Sequence, residues 1–563
     1  MSRALSFGRL PRRLIVVALF LLSLANRNVA HAGEKTSANV RNSCADERTR
    51  VVVTVRDAAR KSPLGCRVYL KGNDGNHYFA KSTSTEGSAL IYNVERSPTT
   101  LEKHTTVSAH PFEFDVPQGI QFTLSVERGK EYVPHVQEFL SDVKELQLEV
   151  ALRRWVDMPA RGWYSGDTHV HRKLEDCPNL VEAEDLHVAF PLTYWVRDAY
   201  LPADRGPQAE GVKPELIRVG ENRFLWPVNT EYELFTVNGK AHTQGAVFVL
   251  NHKRPLSLAA PPVAPIAQEA HETGALLDLD KHSWNWTVMI VPLMQADLFE
   301  LANNHVWRTN FLFRKWTIEM TPTDWGLKIG PEGVDEEGWI DWGFQTYYAF
   351  LNCGFRLRPT GGTGSGVHPV PLGFSRVYVH VDGELTYEKW IAGLNAGHSF
   401  VTTGPMLLAD FNGQRPGTVF KNVAGADRTV RVKGTAESRS KIERLEVIVN
   451  GEVARSIEPT NKRLGSDAYA SAFDVEIPLN HSAWVAVRCH ERDAEGRMRY
   501  AHTAPVHLEI DGPVRPRRRE VNHFIERMQH EIARNRGVLA DSEVAEYEQA
   551  LSIYQEIAKR ARD

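Results

Sequence analysis

The segment Gly162-Trp163-Tyr164-Ser165-Gly166-Asp167-Thr168-His169-Val170-His171 holds the densest chemistry in the chain. On a strand, residues i and i+2 point to one face, so Asp167, His169 and His171 are expected in a single row. Two neutral imidazoles and a carboxylate at that spacing suit zinc, manganese or iron. A lone His-x-His is more commonly a hydrogen-bonded core pair. This one follows a domain boundary and precedes further His and acidic residues at later strand ends. A divalent ion there would polarise a carbonyl or phosphoryl oxygen and bring the pKa of water down to about 7. Asp167 or Asp185 would orient that water or move its proton.

Other residues have two readings. Lys281 either pairs with Asp280 at the surface or replaces a metal's positive charge and stabilises a developing oxyanion. Glu184-Asp185-Leu186-His187 either supplies ligands or hydrogen-bonds at a helix–strand junction. His252, ending GAVFVLNH, is a ligand, a nearby donor or a surface histidine. Trp284, Trp286, Trp307 and Trp316 line a pocket or fill the core. The run PTGGTGSG lacks Gly-Lys-Ser/Thr, so it is not a phosphate-binding loop. There is no Gly-x-Ser-x-Gly elbow for a serine hydrolase.

The elements that must position these groups follow from periodicity. Val51–Val55, Cys66–Leu70 and Phe122–Val126 are β-branched or alternating runs, separated by turns such as Gly72-Asn73-Asp74-Gly75. That predicts a β-sandwich over 50–155. Residues 156–408 alternate short apolar runs (245–250, 274–279, 377–381) with longer mixed segments, as an α/β barrel-like domain would. One helix is plain, Tyr387–Ala396, with Trp390, Ile391 and Leu394 on one face, Thr386 as its cap and Gly397 as its stop. Strand patterns return over 409–512, with a hairpin at Asn450-Gly451 and a strand at 483–487, and predict a second sandwich. In 513–563, Val521, Phe524, Ile525, Met528 and Ile532, then Val544, Tyr547, Leu551 and Tyr554 after Gly537, predict a helical hairpin on the body. The basic run Arg515–Arg519 reads as a solvated linker.

Arg3, Arg9, Arg12 and Arg13, the 12-residue apolar run Leu14–Ala25 and Ala30-His31-Ala32 make a secretory signal over 1–32, with a polar linker over 33–49. The run is short for a membrane span, which needs about 20 residues. The expectation is a secreted or periplasmic protein with no stable membrane span. At 563 residues, several domains are expected. A net charge of −3 provides no basic field for nucleic acid, and 42% hydrophobic residues exclude a disordered chain. Five scattered cysteines without Cys-x-x-Cys allow one or two isolated disulfides at most. Nothing in the pattern fixes an oligomeric state.

GWYSGDTHVH resembles the opening of the PHP (polymerase and histidinol phosphatase) metallohydrolase superfamily, most closely its carbaryl hydrolase-like branch, the CehA/McbA family. NGKAHTQGAVFVL, LFELANNH and GLNAGHSFVTTGP resemble later segments of that branch in the same order, over about 160–408. VERGKEY in the domain before resembles domains that precede this core in large secreted relatives. The resemblance implies a distorted seven-stranded β/α barrel with one to three metal ions, and hydrolysis of an ester, carbamate or phosphoester. It implies His169 and His171 as the first ligand pair, Glu231 (or Glu233 on the same face) as the acidic ligand, and His242 as the next histidine. His305 and His368 are further implied ligands. Departures accompany it, and they reduce the implied three-metal centre to one or two ions. Thr193-Tyr194-Trp195 stands where the superfamily has Thr-Asp-His, Asp280-Lys281-His282 where it has Ala-His-Pro, and Gly364-Ser365-Gly366-Val367-His368 where it has Gly-Ser-Asp-x-His. The fold expectation is therefore α/β plus all-β: a barrel flanked by two sandwiches and a helical tail. The functional expectation is an exported metal-dependent hydrolase acting on a small-molecule or carbohydrate-linked ester. The rival is a non-catalytic secreted binding protein with a degenerate barrel, whose flanking β-sandwiches hold carbohydrate or a cell-surface partner.

Overall fold

Val51, Val53 and Val55 stand at alternate positions, and that period of two buries one face of strand Arg48–Asp57. Its sheet runs in the order Glu145–Leu152, Arg48–Asp57, Phe112–Pro117, Lys81–Ser82. A second sheet, centred on Cys66–Gly72, faces it. Val51, Val53, Val68, Leu70, Phe112, Phe114, Leu124 and Val126 fill the space between. The two sheets share this one core. The computed structural model describes residues 47–203, 211–315, 320–421, 428–465 and 467–563. The signal segment, most of the linker, Cys44 and Trp316 lie outside the described residues.

Two sheets carry the central region. One has six strands in the order Tyr194–Asp198, Thr230–Val237, Lys240–Leu250, Leu276–Leu279, Leu298–Ala302, Arg358–Gly361. The other begins Ile217–Val219, Arg223–Leu225, Val188–Pro191, Trp163–Val170, Arg376–His380, Ser399–Thr402. The expected closed barrel is not found among the described residues. The chain crosses between sheets at Leu192–Thr193. At the other seam, Arg358–Gly361 does not pair with Trp163–Val170 and gives way to a glycine-rich loop. Backbone to backbone, that loop meets the strand through single hydrogen bonds, Gly364 N–H to His169 O at 2.8 Å and His171 N–H to Ser365 O at 2.9 Å. The regular β/α alternation also fails, because Thr230–Val237 and Lys240–Leu250 form a hairpin with no helix between them.

Helix Tyr387–Ala396 forms as expected. Thr386 Oγ1 accepts the Lys389 N–H, and Gly397 ends the helix at φ 75°. Its Trp390 presses on strand Trp163–Val170 so closely that a Cβ on Gly166 would sit 2.4 Å from the indole. Only glycine lets the helix approach the strand that carries the His pair.

The second central sheet does not stop at the predicted boundary. Ser399–Thr402 pairs with Met498–Thr503, and the ladder continues through Ala483–Arg492 to the hairpin Ile442–Val449 and Glu452–Ile457, twelve strands in all. Asn450 and Gly451 turn that hairpin at φ 49° and 84°. A four-stranded sheet that includes Met406–Phe411 and Thr429–Ser438 packs on this outer half. Leu407, Phe411, Val432, Leu445, Val447 and Val485 form the core between them. Helices Arg518–Asn535 and Asp541–Ala558 pair with each other and bury Phe524, Met528, Tyr547 and Tyr554 against the central body. Cys66, Cys177, Cys353 and Cys489 are free buried thiols, so no disulfide forms among the described residues. None of the described helices is long and apolar enough to cross a membrane.

Candidate metal centre

His169 and His171 leave the carboxyl end of strand Trp163–Val170, and their rings turn toward each other. His169 Nε2 lies 3.1 Å from His171 Nε2. Glu231, near the start of Thr230–Val237 in the other sheet, completes a triangle, with Oε2 3.0 Å from His171 Nε2 and Oε1 3.9 Å from His169 Nε2. Ligands sharing one zinc at 2.0–2.2 Å stand about 3–3.5 Å apart, the spacing of two sides of this triangle, and the third side is 3.9 Å. His169 turns its other nitrogen to Glu300 on Leu298–Ala302, 3.2 Å from Nδ1 to Oε2, and Asp280 Oδ1 lies 3.7 Å from the same nitrogen. Neutral imidazole carries one N–H. Donated from Nδ1 to Glu300, it leaves the Nε2 lone pair free toward His171 and Glu231, the carboxylate–histidine arrangement that orients metal ligands.

Three groups among the described residues bring ligand atoms within 4.8 Å of one another: His169, His171, Glu231; His169, Asp280, Glu300; and Glu231, Glu233, Asp280. All of these side chains are buried or nearly so. Burial pulls His171 down to about 4 and His169 well below the usual histidine range, so both rings are neutral. Burial and the Asp280 charge push Glu231 and Glu300 well above the carboxylate range, and burial with the Glu231 charge holds Glu233 at about 8. Burial pulls Lys281 down, but Asp280 and Glu233 more than reverse it. Glu231 Oε2 and Asp280 Oδ1 are buried and meet no hydrogen-bond donor. Facing imidazole nitrogens and orphaned carboxylate oxygens are a donor set that a divalent cation satisfies.

Neighbours fix the cluster. The Trp195 indole N–H donates to Glu233 Oε2 at 3.2 Å, and its ring lies 4.4 Å from that of His171. The aromatic at the position where the resemblance implies Asp-His therefore covers His171 and holds Glu233. Lys281 Nζ and the Trp284 indole N–H both donate to Asp280 Oδ2. Gly362 passes so close that a Cβ would meet His169 Cβ at 2.3 Å and Glu300 Oε1 at 2.6 Å. That contact explains Gly362 in PTGGTGSG.

Several expected residues are placed elsewhere. His242 is no ligand: Glu231 pairs with Phe248 across the hairpin, and His242 lies roughly 20 Å further along its strand at about 3.4 Å per residue. Its Nε2 meets Asn535 Oδ1 at 2.9 Å and Arg534, so it docks the C-terminal helices. Asp185 precedes Val188–Pro191, at the opposite end of the sheet from His169, and is gripped by Arg128, Arg154 and Arg223. His187 beside it contacts Ser165 Oγ at 3.1 Å. Neither supplies the centre.

Asp167 is adjacent but fully engaged. It accepts the N–H groups of His169, Thr363 and Gly373 and the Thr363 hydroxyl, so it ties strand to loop and has no oxygen left to move a proton. His305 stacks on Phe313 at 3.7 Å, and His368 lies 5.7 Å from His305, ring to ring. Neither belongs to a group within ligand reach of the centre. His252 bonds Thr230 Oγ1 and Arg254 O, which makes it structural. Trp286 donates to Tyr547 Oη, and Trp307 packs on His368. Asp280 and Glu300 are the residues that sequence reasoning missed as members of the centre. Glu300 lies inside LFELANNH, whose acidic strand carried the signal.

No protein-family model matches the chain, and no curated protein matches it. One similar solved structure is a two-domain protein from Bacteroides vulgatus containing a predicted PHP-like metal-dependent phosphoesterase. It is 11% identical, covers 58% of this chain and 90% of that one, and superposes with a TM-score of 0.27. A superposition at that score does not establish a shared fold.

Proposed function

We propose that the chain is an exported metal-dependent hydrolase cleaving an ester, carbamate or phosphoester bond, of the carbaryl hydrolase-like PHP type that its motifs resemble. The observation that carries this reading is the triangle of His169 Nε2, His171 Nε2 and Glu231, sized for one divalent ion and drawn from two sheets. Such an ion supplies Lewis acidity toward the scissile oxygen and toward water. The chain's own residues do the rest. Glu300 fixes the His169 ring and its tautomer. Trp195 covers His171 and anchors Glu233. The Lys281 ammonium brings positive charge to the edge where negative charge grows on the substrate. A small-molecule or carbohydrate-linked ester, and export through the leader at 1–32, belong to the same proposal.

One observation favours a binding protein instead: His169 and Glu231 are each only 1% exposed, which restricts access of a bulky substrate. A panel of aryl esters, carbamates and phosphoesters, assayed with wild type, His169→Ala and His171→Ala, separates the two. The hydrolase reading expects turnover by the wild type and a loss of at least about 100-fold in either variant, with little change in melting, because the ion serves chemistry rather than folding. No turnover by metal-loaded wild type on any of them supports the binding reading.

A further inference from the structure

Lys281 is 2% exposed, and its ammonium lies among acids: it contacts Asp280 Oδ2 and interacts electrostatically with Glu233 and Glu300. The Trp284 ring, 5.1 Å from Nζ, holds it from one side, and the indole N–H of the same residue shares Asp280 Oδ2. Glu231, Glu233 and Asp280 would on their own make a second, all-carboxylate cation site next to the His169–His171–Glu231 triangle. We propose that Lys281 is the resident cation of that second position and makes this a one-ion centre. The proposal rests on the metal-centre reading above.

Three features support it. Asp280 belongs to two of the three ligand groups, and one of its oxygens already accepts two N–H donors. An ammonium on that oxygen repels a divalent ion arriving beside it. A tethered charge cannot dissociate, so the second position stays filled at any metal concentration. The His169–His171–Glu231 triangle does not include Asp280 and stays open to its own ion.

The test is metal stoichiometry on the full mature chain, stripped with chelator and titrated with zinc chloride or manganese chloride by calorimetry, with bound metal counted by mass spectrometry. Wild type is expected to take one equivalent. Lys281→Ala, and the uncharged long-chain variant Lys281→Met as a safeguard against misfolding, are expected to take two. In those variants the second equivalent should raise the melting temperature, whereas in wild type metal beyond one equivalent should not. Two equivalents in wild type would overturn the one-ion proposal while leaving the hydrolase reading intact. One equivalent in a folded Lys281 variant would also overturn it. No bound metal in wild type would instead remove the metal-centre reading, and this proposal with it.

Discussion

His169 faces two ways, and its single N–H decides which side could take a metal. With Nδ1 bonded to Glu300, the Nε2 side is the ligand side. Replacing such a carboxyl partner weakens metal binding by about 10–100-fold. Glu300→Gln is therefore expected to lower zinc affinity by that factor, measured by competition with a chelating dye, while circular dichroism stays unchanged. Unaltered affinity would make Glu300 a packing residue. At this scale the sequence was partly legible. His169 and His171 stand at i and i+2 on a short strand, and that spacing alone places them on one side. Glu231 needed a partner sheet, and only the resemblance pointed to it. Glu300 was overshadowed by His305, a more conspicuous ligand type that the fold instead stacks on Phe313. His242 follows Glu231 closely in sequence, but the hairpin carries it to the opposite end of its strand.

The elements that aim the centre are held by charge as well as by packing. Asp185 sits at the junction of helix Cys177–Ala183 and strand Val188–Pro191, between Arg128 and Arg154 of the N-terminal segment and Arg223. Burial raises its carboxyl, but the three guanidinium groups outweigh it and hold it well below the carboxylate range. Breaking a buried pair of this kind costs about 3–5 kcal/mol, so Asp185→Asn is expected to lose that much stability near neutral pH. A depressed carboxyl stabilises the fold above its unfolded value of about 3.9, and the gain is lost as pH falls further through the folded value. The gap between wild type and variant in urea unfolding should thus stay constant from about pH 8 to 5 and shrink below about pH 4. A gap that does not change with pH would contradict the charge argument. Locally coded elements were readable in advance: Thr386 and Gly397 bracket a helix, and Asn450-Gly451 turns a hairpin. The open seam was not, because it depends on whether Gly361 and the loop after it pair with a strand nearly two hundred residues earlier.

Across the whole molecule, the twelve-stranded sheet joins the His-bearing strand to the C-terminal sandwich, so the two share one hydrogen-bonded framework. The C-terminal helices add a polar clasp, with Asn535 Oδ1 accepting from Gln244 and the Tyr547 hydroxyl donating to Gln244 Oε1 at 2.6 Å. These helices were legible as an amphipathic pair, whereas their docking on His242 and Gln244 was not, since neither residue signals a helix partner. The arrangement holds two sheets rigidly enough that His169, His171 and Glu231 meet although one helix and four strands lie between their strands in sequence. The most direct test of this account is anomalous diffraction from crystals of the zinc-loaded protein, recorded on both sides of the zinc edge. The account predicts one peak about 2.0–2.2 Å from His169 Nε2, His171 Nε2 and a Glu231 oxygen. Zinc bound elsewhere, with that triangle closed around a shared proton, would contradict it.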